Sequence, residues 1–412
     1  MSIYLDSEIG RLKRVIVHSP GAEIEQMTPE SARQLLYHDI IPISVVSKEH
    51  EKLKAFLSTI AEVYELRELV QRAVDAGGEA KAALVRSMCV SYRADELFRM
   101  DTPALVDTLI SGLPARKETL TDYLSNRLYD LPPLPNLYFM RDGAMVFRNR
   151  VLIGAMAHRV RTNESLLLKA AFSYTHELDS GGVLFDGVLE GRSNLRLEGG
   201  DFLPVNRNTI LIGISERTSP EAVDRLTQNL VETLAEPFHV FVVMLPEGPS
   251  TIHLDMIFTL VDYDQALVHE PAVLSSARAR VIRMDIAPGR EARIRDVPGI
   301  IEGLGEVGVE VSPIRCGGTE AVYQQREQWL SGTNVFAFAP GKVVGYDCNE
   351  ATAESFAAAG FLVRSVDSFL DGSEQVWDHE QLLVLTPGVE LARGGGGARC
   401  MTLPVEREQL QL

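Results

Sequence analysis

Basic residues are the scarce class in this chain. Over 412 residues, 40 Lys and Arg stand against 57 Asp and Glu, a formal net charge of −17, and no Lys/Arg-rich run occurs. Nucleic acid and anionic membrane surfaces are therefore disfavoured as main partners, because both are held by clustered cations that displace counterions. Cysteine is sparse as well. Cys89, Cys316, Cys348 and Cys400 lie far apart and form no CxxC pair, which fits reduced thiols in a cytoplasm better than disulfides or a zinc knot. Long apolar runs are missing too: none approaches the roughly 18 residues of a spanning helix. The opening MSIYLDSEIG has neither the basic nor the apolar region of a secretion signal. A soluble, cytoplasmic protein is the expectation.

What is present is an ordinary globular composition, 45% hydrophobic and 24% charged, with enough apolar residues for a sizeable core. That core is written as a repeat. RDGAMVFRNRVLIG (Arg141 to Gly154), GDFLPVNRNTILIG (Gly200 to Gly213) and GTNVFAFAPGKVVG (Gly332 to Gly345) each run from a polar start through an apolar strand, a tight turn and a second apolar strand to a glycine. Asn149, Asn206 to Asn208 and Pro340-Gly341 are turn residues, and the Val, Ile, Leu and Phe around them favour strands. HLDMIFTLVDYDQALV from His253 is a fourth copy, and LKRVIVHSP from Leu12 suggests a fifth. Helical stretches lie between the hairpins. In SPEAVDRLTQNLVETLAE, Ser219 can cap, Pro220 suits the first turn, and Val223, Leu226, Leu230 and Leu234 recur at helical spacing. Hairpin plus helix, repeated, predicts an α/β fold of sectors about an axis rather than one open sheet. Polar residues at the starts of the first strands, namely Asp142, Glu198, Asp201, His253 and Asp255, then converge.

One stretch breaks the repeat. From Leu69 to Tyr129 the signals are helical only, as in DTPALVDTLISG with Thr102 as cap, Pro103 in the first turn and Gly112 as stop. Residues 69–129 read as a helical insertion in a single domain over 1–412. Cys89 lies inside it and reads as a small core residue.

The chemistry-bearing residues gather near the C-terminal ELARGGGGARCMTLP. Gly394 to Gly397 cost backbone entropy, which a fold tolerates where backbone approaches something closely or a loop moves. Cys400 follows, with Arg399 beside it and Arg393 upstream; such guanidinium charge favours a nucleophilic thiolate. A flexible tail with an incidental cysteine is the other reading. His253 and Asp255 alternate with Leu254 and Met256, so in a strand both point to one face. On that pair alone a satisfied core pair is the plainer reading. Conventional zinc spacing is missing. Asp142, Glu198 and Asp201 enter buried-looking strands, and buried carboxylates need a cation from the chain or from a substrate. One thiol, one His and at least four carboxylates suit a planar cation with several N–H donors.

Six strings in this order carry a family resemblance: PNLYFMRD from Pro135, LEGGD from Leu197, ISERT from Ile214, HLDMIF from His253, REQWLSGTNVFAFAPG from Arg326, and GGGGARCMTLP. Together with EIGRLKRVIVHSPGAE and LLYHDIIP, the sequence resembles the arginine deiminases over nearly its whole length. The resemblance implies the pentein fold, a five-bladed α/β propeller of ββαβ-type sectors about a pseudo-fivefold axis, with a helical insertion after the first sector. It implies hydrolysis of free L-arginine to L-citrulline and ammonia through a covalent S-alkylthiouronium on Cys400. His253 would be the general acid/base, Asp142 and Asp255 the guanidinium clamp, and Glu198 the support of both His253 and substrate. Asn136, Arg161 and Arg217 match positions that bind the α-carboxylate, and Phe139 one that packs on the aliphatic chain; Asp201 and Gly394 are counted with the substrate-binding residues. Neither metal nor organic cofactor is implied, and the chain is read as a homo-oligomer acting on a small molecule.

Three positions depart from the family pattern: Gly395 stands where an Arg is frequent, Asn163 where a second Arg follows Arg161, and His38 where an Asp is usual. They concern the lid and the substrate's tail. A deiminase of another guanidine shares the same residues, as does an amidinotransferase of the same fold that passes the amidino group to an amine. A non-catalytic binding protein of this fold is disfavoured, because thiol, His and carboxylates are all present.

Overall fold

The computed structural model describes residues 2–89, 91–190, 195–234 and 236–410. Within them, antiparallel hairpins form where the repeat predicts them. Ala144–Phe147 pairs with Arg150–Ile153, Phe202–Asn206 with Thr209–Ile214, Phe258–Leu260 with Gln265–Val268, and Phe336–Ala339 with Lys342–Tyr346. Each second strand takes a parallel partner on its other side: Val183–Asp186, Phe238–Met244, Ser312–Arg315 and Leu382–Thr386 respectively. Parallel neighbours need a long crossover. Helices Thr162–Tyr174, Pro220–Thr233 and Glu350–Ala358 lie in three of these crossovers. In the third unit the crossover is more elaborate. Arg280–Ile286 and Arg293–Val297 leave it to extend the preceding sheet, beside Phe238–Met244.

The fifth unit is wired differently from the expected contiguous hairpin. Leu12–Val17 has Glu62–Glu65 as its parallel neighbour, but its antiparallel partner is Leu403–Arg407. The connecting helix Ile43–Ile60 buries Val46, Glu49, His50, Leu53, Phe56 and Leu57, a helical stripe. Phe56 stands edge-on to Phe338 and Phe369, at 5.4 and 6.1 Å, and ties the helix to the neighbouring sheet. Such a ring contributes about 2 kcal/mol by burial, and Phe56→Ala would cost about 3 to 5 kcal/mol with its cavity. Glu49 from the same stripe accepts hydrogen bonds from the Glu390 and Leu391 amides, both at 3.0 Å. It thereby caps helix Val389–Arg393, which leads into the glycine run before Cys400.

Between Glu65 and Tyr129 lie helices Leu66–Ala76, Gly78–Met88, Ala94–Arg99, Thr102–Ser111 and Leu120–Leu124. The first four share one core with the second unit, where Leu69, Leu84, Leu97 and Leu105 cluster with Val146, Val151 and Leu167, while Leu120–Leu124 buries no residue. Two local expectations are corrected here. Asp101, not Thr102, caps the fourth of these helices, its carboxylate accepting from the Ala104 amide at 2.9 Å. The stretch also contains strand, since Leu113–Pro114 pairs with Tyr129–Leu131 in a ladder too short for a periodic signal.

Candidate active site

The first strand of each unit is preceded by a turn, and the polar residues sit on those turns. Asp142 lies on the helical turn Met140–Gly143, Asp201 on Gly199–Asp201 with Glu198 just before it, and Asp255 on Leu254–Met256 with His253 just before it. Asn334 and Cys400 stand on turns leading into Phe336–Ala339 and Leu403–Arg407. The strand expected at His253 is therefore a 3₁₀ turn. Its cause is Asp201, whose Oδ1 accepts from the Leu254 amide at 2.9 Å, while the His253 carbonyl accepts from the Met256 amide at 3.1 Å. The turn separates two side chains that a strand would hold parallel: His253 faces Glu198, and Asp255 faces Arg399.

A cavity of about 1270 Å³ opens over these turns, lined by Asn136, Phe139, Asp142, Arg161, Arg217, His253, Gly394 and Cys400 among others. Glu198, Asp201 and Asp255 are fully buried behind that lining. The Cys400 amide donates to Asn334 Oδ1 at 3.0 Å, and its carbonyl accepts from the Arg141 amide at 3.1 Å. Glycine is required beside it. A Cβ on Gly396 would stand 2.6 Å from the Phe139 ring and 2.9 Å from Cys400 Cβ. Gly394 is excluded from carrying a side chain by the Tyr138 hydroxyl, whereas Gly395, at φ 104°, has open space around it.

Burial pushes the Cys400 thiol well above the usual thiol range, and the charges of Asp255 and Asp142 push the same way, outweighing the Gly397 backbone and Arg399. The arginine-activated thiolate expected from sequence is thus not the resting state. Arg399 turns away to Glu8 and Asp255, and Arg393 pairs with Glu390. His253 is charged. Burial opposes its protonation, but the charge of Asp142, the Glu198 hydrogen bond at 3.1 Å and the charge of Asp201 raise it to about 9. Burial likewise opposes ionisation of Glu198, yet His253, Arg217 and Arg161 hold it well below the usual carboxylate range.

Arg161 is placed otherwise than a free reader of a substrate carboxylate. Its Nη1 donates to Asp142 Oδ2 at 2.6 Å, and its Nε and Nη2 reach Glu164 at 3.0 and 2.8 Å. Three buried carboxylates close together demand such a cation. Arg217 is also engaged, through Nη1 to Glu198 at 3.4 Å and Nε to Glu216 at 2.9 Å, but it lines the cavity from the rim side with Glu216. Asn136 Nδ2 donates to the Leu35 carbonyl at 2.8 Å. Asp201, buried like Asp255 behind the lining, differs from it in having both carboxylate oxygens taken. It is a brace for the His253 turn, with Oδ2 accepting from the Ser215 hydroxyl at 2.6 Å, and burial raises it to about 6. Ligand atoms of Asp142, Glu198 and His253 lie within 4.8 Å of one another, close enough for a metal. Arg161 Nη1, 3.8 Å from Glu198 Oε2 and hydrogen-bonded to Asp142, already supplies a cation there.

Among the buried acceptors of the described residues that lack a hydrogen bond, two belong to the site, Asp142 Oδ1, 3.7 Å from His253 Nδ1, and Asp255 Oδ1. Residues that sequence reasoning did not single out complete the arrangement. Glu8, Glu164 and Asn334 act through partners 391, 3 and 66 positions away; only the short Arg161–Glu164 spacing is visible along a helix.

Known proteins share this arrangement of chain. A family model described as arginine deiminase matches residues 33–407. The arginine deiminase of Listeria monocytogenes serotype 4a is 34% identical over 435 residues, covering 100% of this chain and 99% of the relative. That of Latilactobacillus sakei subsp. sakei is 31% identical over 432 residues, covering 99% of each. Among solved structures, SxtG, an amidinotransferase from Microseira wollei, matches at a TM-score of 0.55 and 14% identity, covering 100% of this chain and 98% of that one. The N-terminal domain of ArgZ, a cyanobacterial protein, covalently bound to a reaction intermediate, matches at 0.52 and 14%, covering 96% and 98%. These structural likenesses carry the mixed α/β fold of the pentein proteins. Matched by the family model over most of its length and a third identical to curated members from end to end, the chain belongs to the arginine deiminase family.

Proposed function

We propose that the protein hydrolyses free L-arginine to L-citrulline and ammonia, with Cys400 as nucleophile. The observation that carries this reading is the pair of buried oxygens without a hydrogen bond, Asp142 Oδ1 and Asp255 Oδ1, on the two carboxylates whose charge acts on the Cys400 thiol. A buried acceptor left unsatisfied costs about 1 to 3 kcal/mol. A guanidinium ion supplies N–H donors to both and brings the positive charge that the thiol lacks. Its arrival offsets the two carboxylates, so the thiol can pass its proton to solvent water within the complex.

The thiolate then adds to the guanidinium carbon, and the C–N π pair moves onto nitrogen. His253, an imidazolium held by Glu198, donates its proton to the departing nitrogen. The C–N bond breaks, ammonia leaves, and an S-alkylthiouronium remains. Neutral His253 next removes a proton from water, hydroxide adds to the same carbon, and the C–S bond breaks as the hydroxyl proton passes to the departing sulfur, giving citrulline and the resting thiol. In this reading Arg217 and Asn136 receive the α-carboxylate, Phe139 and Gly394 flank the aliphatic chain, and Arg161 holds Asp142.

The same reading arranges the five units as sectors about one axis, in a single catalytic domain over 1–412 with 69–129 inserted. Its support is that all five deliver a polar residue from the turn before the first strand. A citrulline assay on the purified protein with a chelator and no added amine tests the function. One citrulline and one ammonia per arginine is the expected result. Silence with arginine but turnover of another guanidine would leave the chemistry and remove the substrate.

A further inference from the structure

Asp255 is held from below. Its Oδ2 accepts from Arg399 Nη1 at 2.6 Å, and the other nitrogens of Arg399 are all spoken for: Nε donates to Glu8 Oε2 at 3.1 Å, Nη2 to Glu8 Oε1 at 3.0 Å and to the Phe202 carbonyl at 3.0 Å. Glu8 is a hub. Arg141 Nη1 lies 3.5 Å from its Oε1, and the charges of Arg399, Arg141 and Arg407 overcome burial to hold its carboxyl down to about 2. Three buried guanidinium groups thus surround one carboxylate near the floor of the site.

The fork of Arg399 could grip a carboxylate with two parallel bonds. Its Nε–Nη2 edge grips Glu8 bidentately, the other Nη2 bond goes to the Phe202 carbonyl, and Asp255 receives a single bond from Nη1, so Asp255 Oδ1 remains without a hydrogen bond. We propose that Glu8 is a positioning residue for substrate: by holding the Nε–Nη2 edge of Arg399 it fixes the orientation of the guanidinium, keeps it from rotating onto both oxygens of Asp255, and so leaves Oδ1 for the substrate cation. The proposal rests on the guanidinium reading of the site. Without Glu8, Asp255 is the remaining anion on Arg399, and the fork turns onto it bidentately.

The test uses two alkylating probes of Cys400, chloroacetamidine, a planar cation, and iodoacetamide, its neutral counterpart, on full-length wild type, Glu8→Gln, Glu8→Asp and Arg399→Lys. Wild type should be alkylated with a marked preference for the cation. In Glu8→Gln that preference should fall roughly tenfold to hundredfold, the scale of a clamp displaced by about 1 Å, while the rate with iodoacetamide stays within about twofold. Glu8→Asp, which keeps the charge, should restore most of it, and its result decides the matter should Glu8→Gln not fold. Arg399→Lys, a point charge with no fork, should lose the preference. The KM for arginine should rise in the same order, with kcat changing less. Equal loss of both alkylation rates, or an unchanged preference in Glu8→Gln and Arg399→Lys, overturns the proposal. Absence of any cation preference in wild type would instead remove the guanidinium reading itself.

Discussion

Arg161 Nη1 lies 2.6 Å from Asp142 Oδ2, so the carboxylate lining the cavity already carries a cation on one of its oxygens. The same guanidinium serves Glu164 at 2.8 Å. Removing it strands buried anions. Arg161→Ala should therefore lower stability by about 3 to 5 kcal/mol, as expected on breaking a buried pair, read from denaturant midpoints at constant slope. A variant that keeps its midpoint and changes only KM would return Arg161 to the role of substrate reader.

The tail of the substrate then falls to Arg217. Agmatine offers the same guanidinium without the carboxylate, and a charged hydrogen bond lost from a buried site is worth about 1.5 to 3 kcal/mol. Arginine should exceed agmatine at least roughly tenfold in kcat/KM, and Arg217→Lys should erase most of that difference. Equal values for the two substrates in wild type would assign the cavity to a guanidine with another tail.

Cys400→Ser should abolish turnover, whereas Cys348→Ser, in a half-buried thiol outside the cavity lining, should leave it largely intact. A His253→Asn variant should slow loss of ammonia and then hydrolysis, so that intact-mass spectra of the arginine-treated protein carry an adduct on Cys400. No adduct at any time point would refute the covalent route.

Two buried histidines set a pH dependence. His18 lies between Glu23 at 3.1 Å and Glu65 at 3.4 Å, and these partners overcome burial to raise it to about 9, as happens at His253. Lys54 balances Glu65 at 2.7 Å, and His50 beside them is pushed down to about 4 by burial, hence neutral. A raised pKa gives stability that is complete below the unfolded value near 6.5 and is lost as pH climbs through about 9. Each histidine then contributes on the order of 3 kcal/mol at pH 6. Unfolding free energy should decline between about pH 6.5 and 9, and His18→Gln should flatten that slope. A flat profile in wild type would mean that neither imidazole is charged.

The hairpins, and the meeting of Asp142, His253 and Cys400 at one cavity, were legible in sequence, because turn residues and short strings are local. What each side chain faces was not. Arg399 stands next to Cys400 in the chain, yet its guanidinium serves Glu8, a residue 391 positions away, so adjacency misjudged the thiol's charge state. Asp201 looked like a substrate carboxylate and is instead the acceptor that folds the Leu254 amide into a turn. The pairing of Leu12–Val17 with Leu403–Arg407 carries no local signal at all.

That last pairing has a consequence for synthesis. A chain emerging residue by residue holds Asp142, Glu198 and His253 long before Leu403–Arg407 can reach Leu12–Val17, and Cys400 stands just before that last strand. Growing chains are made at about 5 to 20 residues per second. For many seconds, then, the nascent protein carries Asp142, Glu198 and His253 without Cys400, and the pairing of its first and last strands comes only at the end of synthesis.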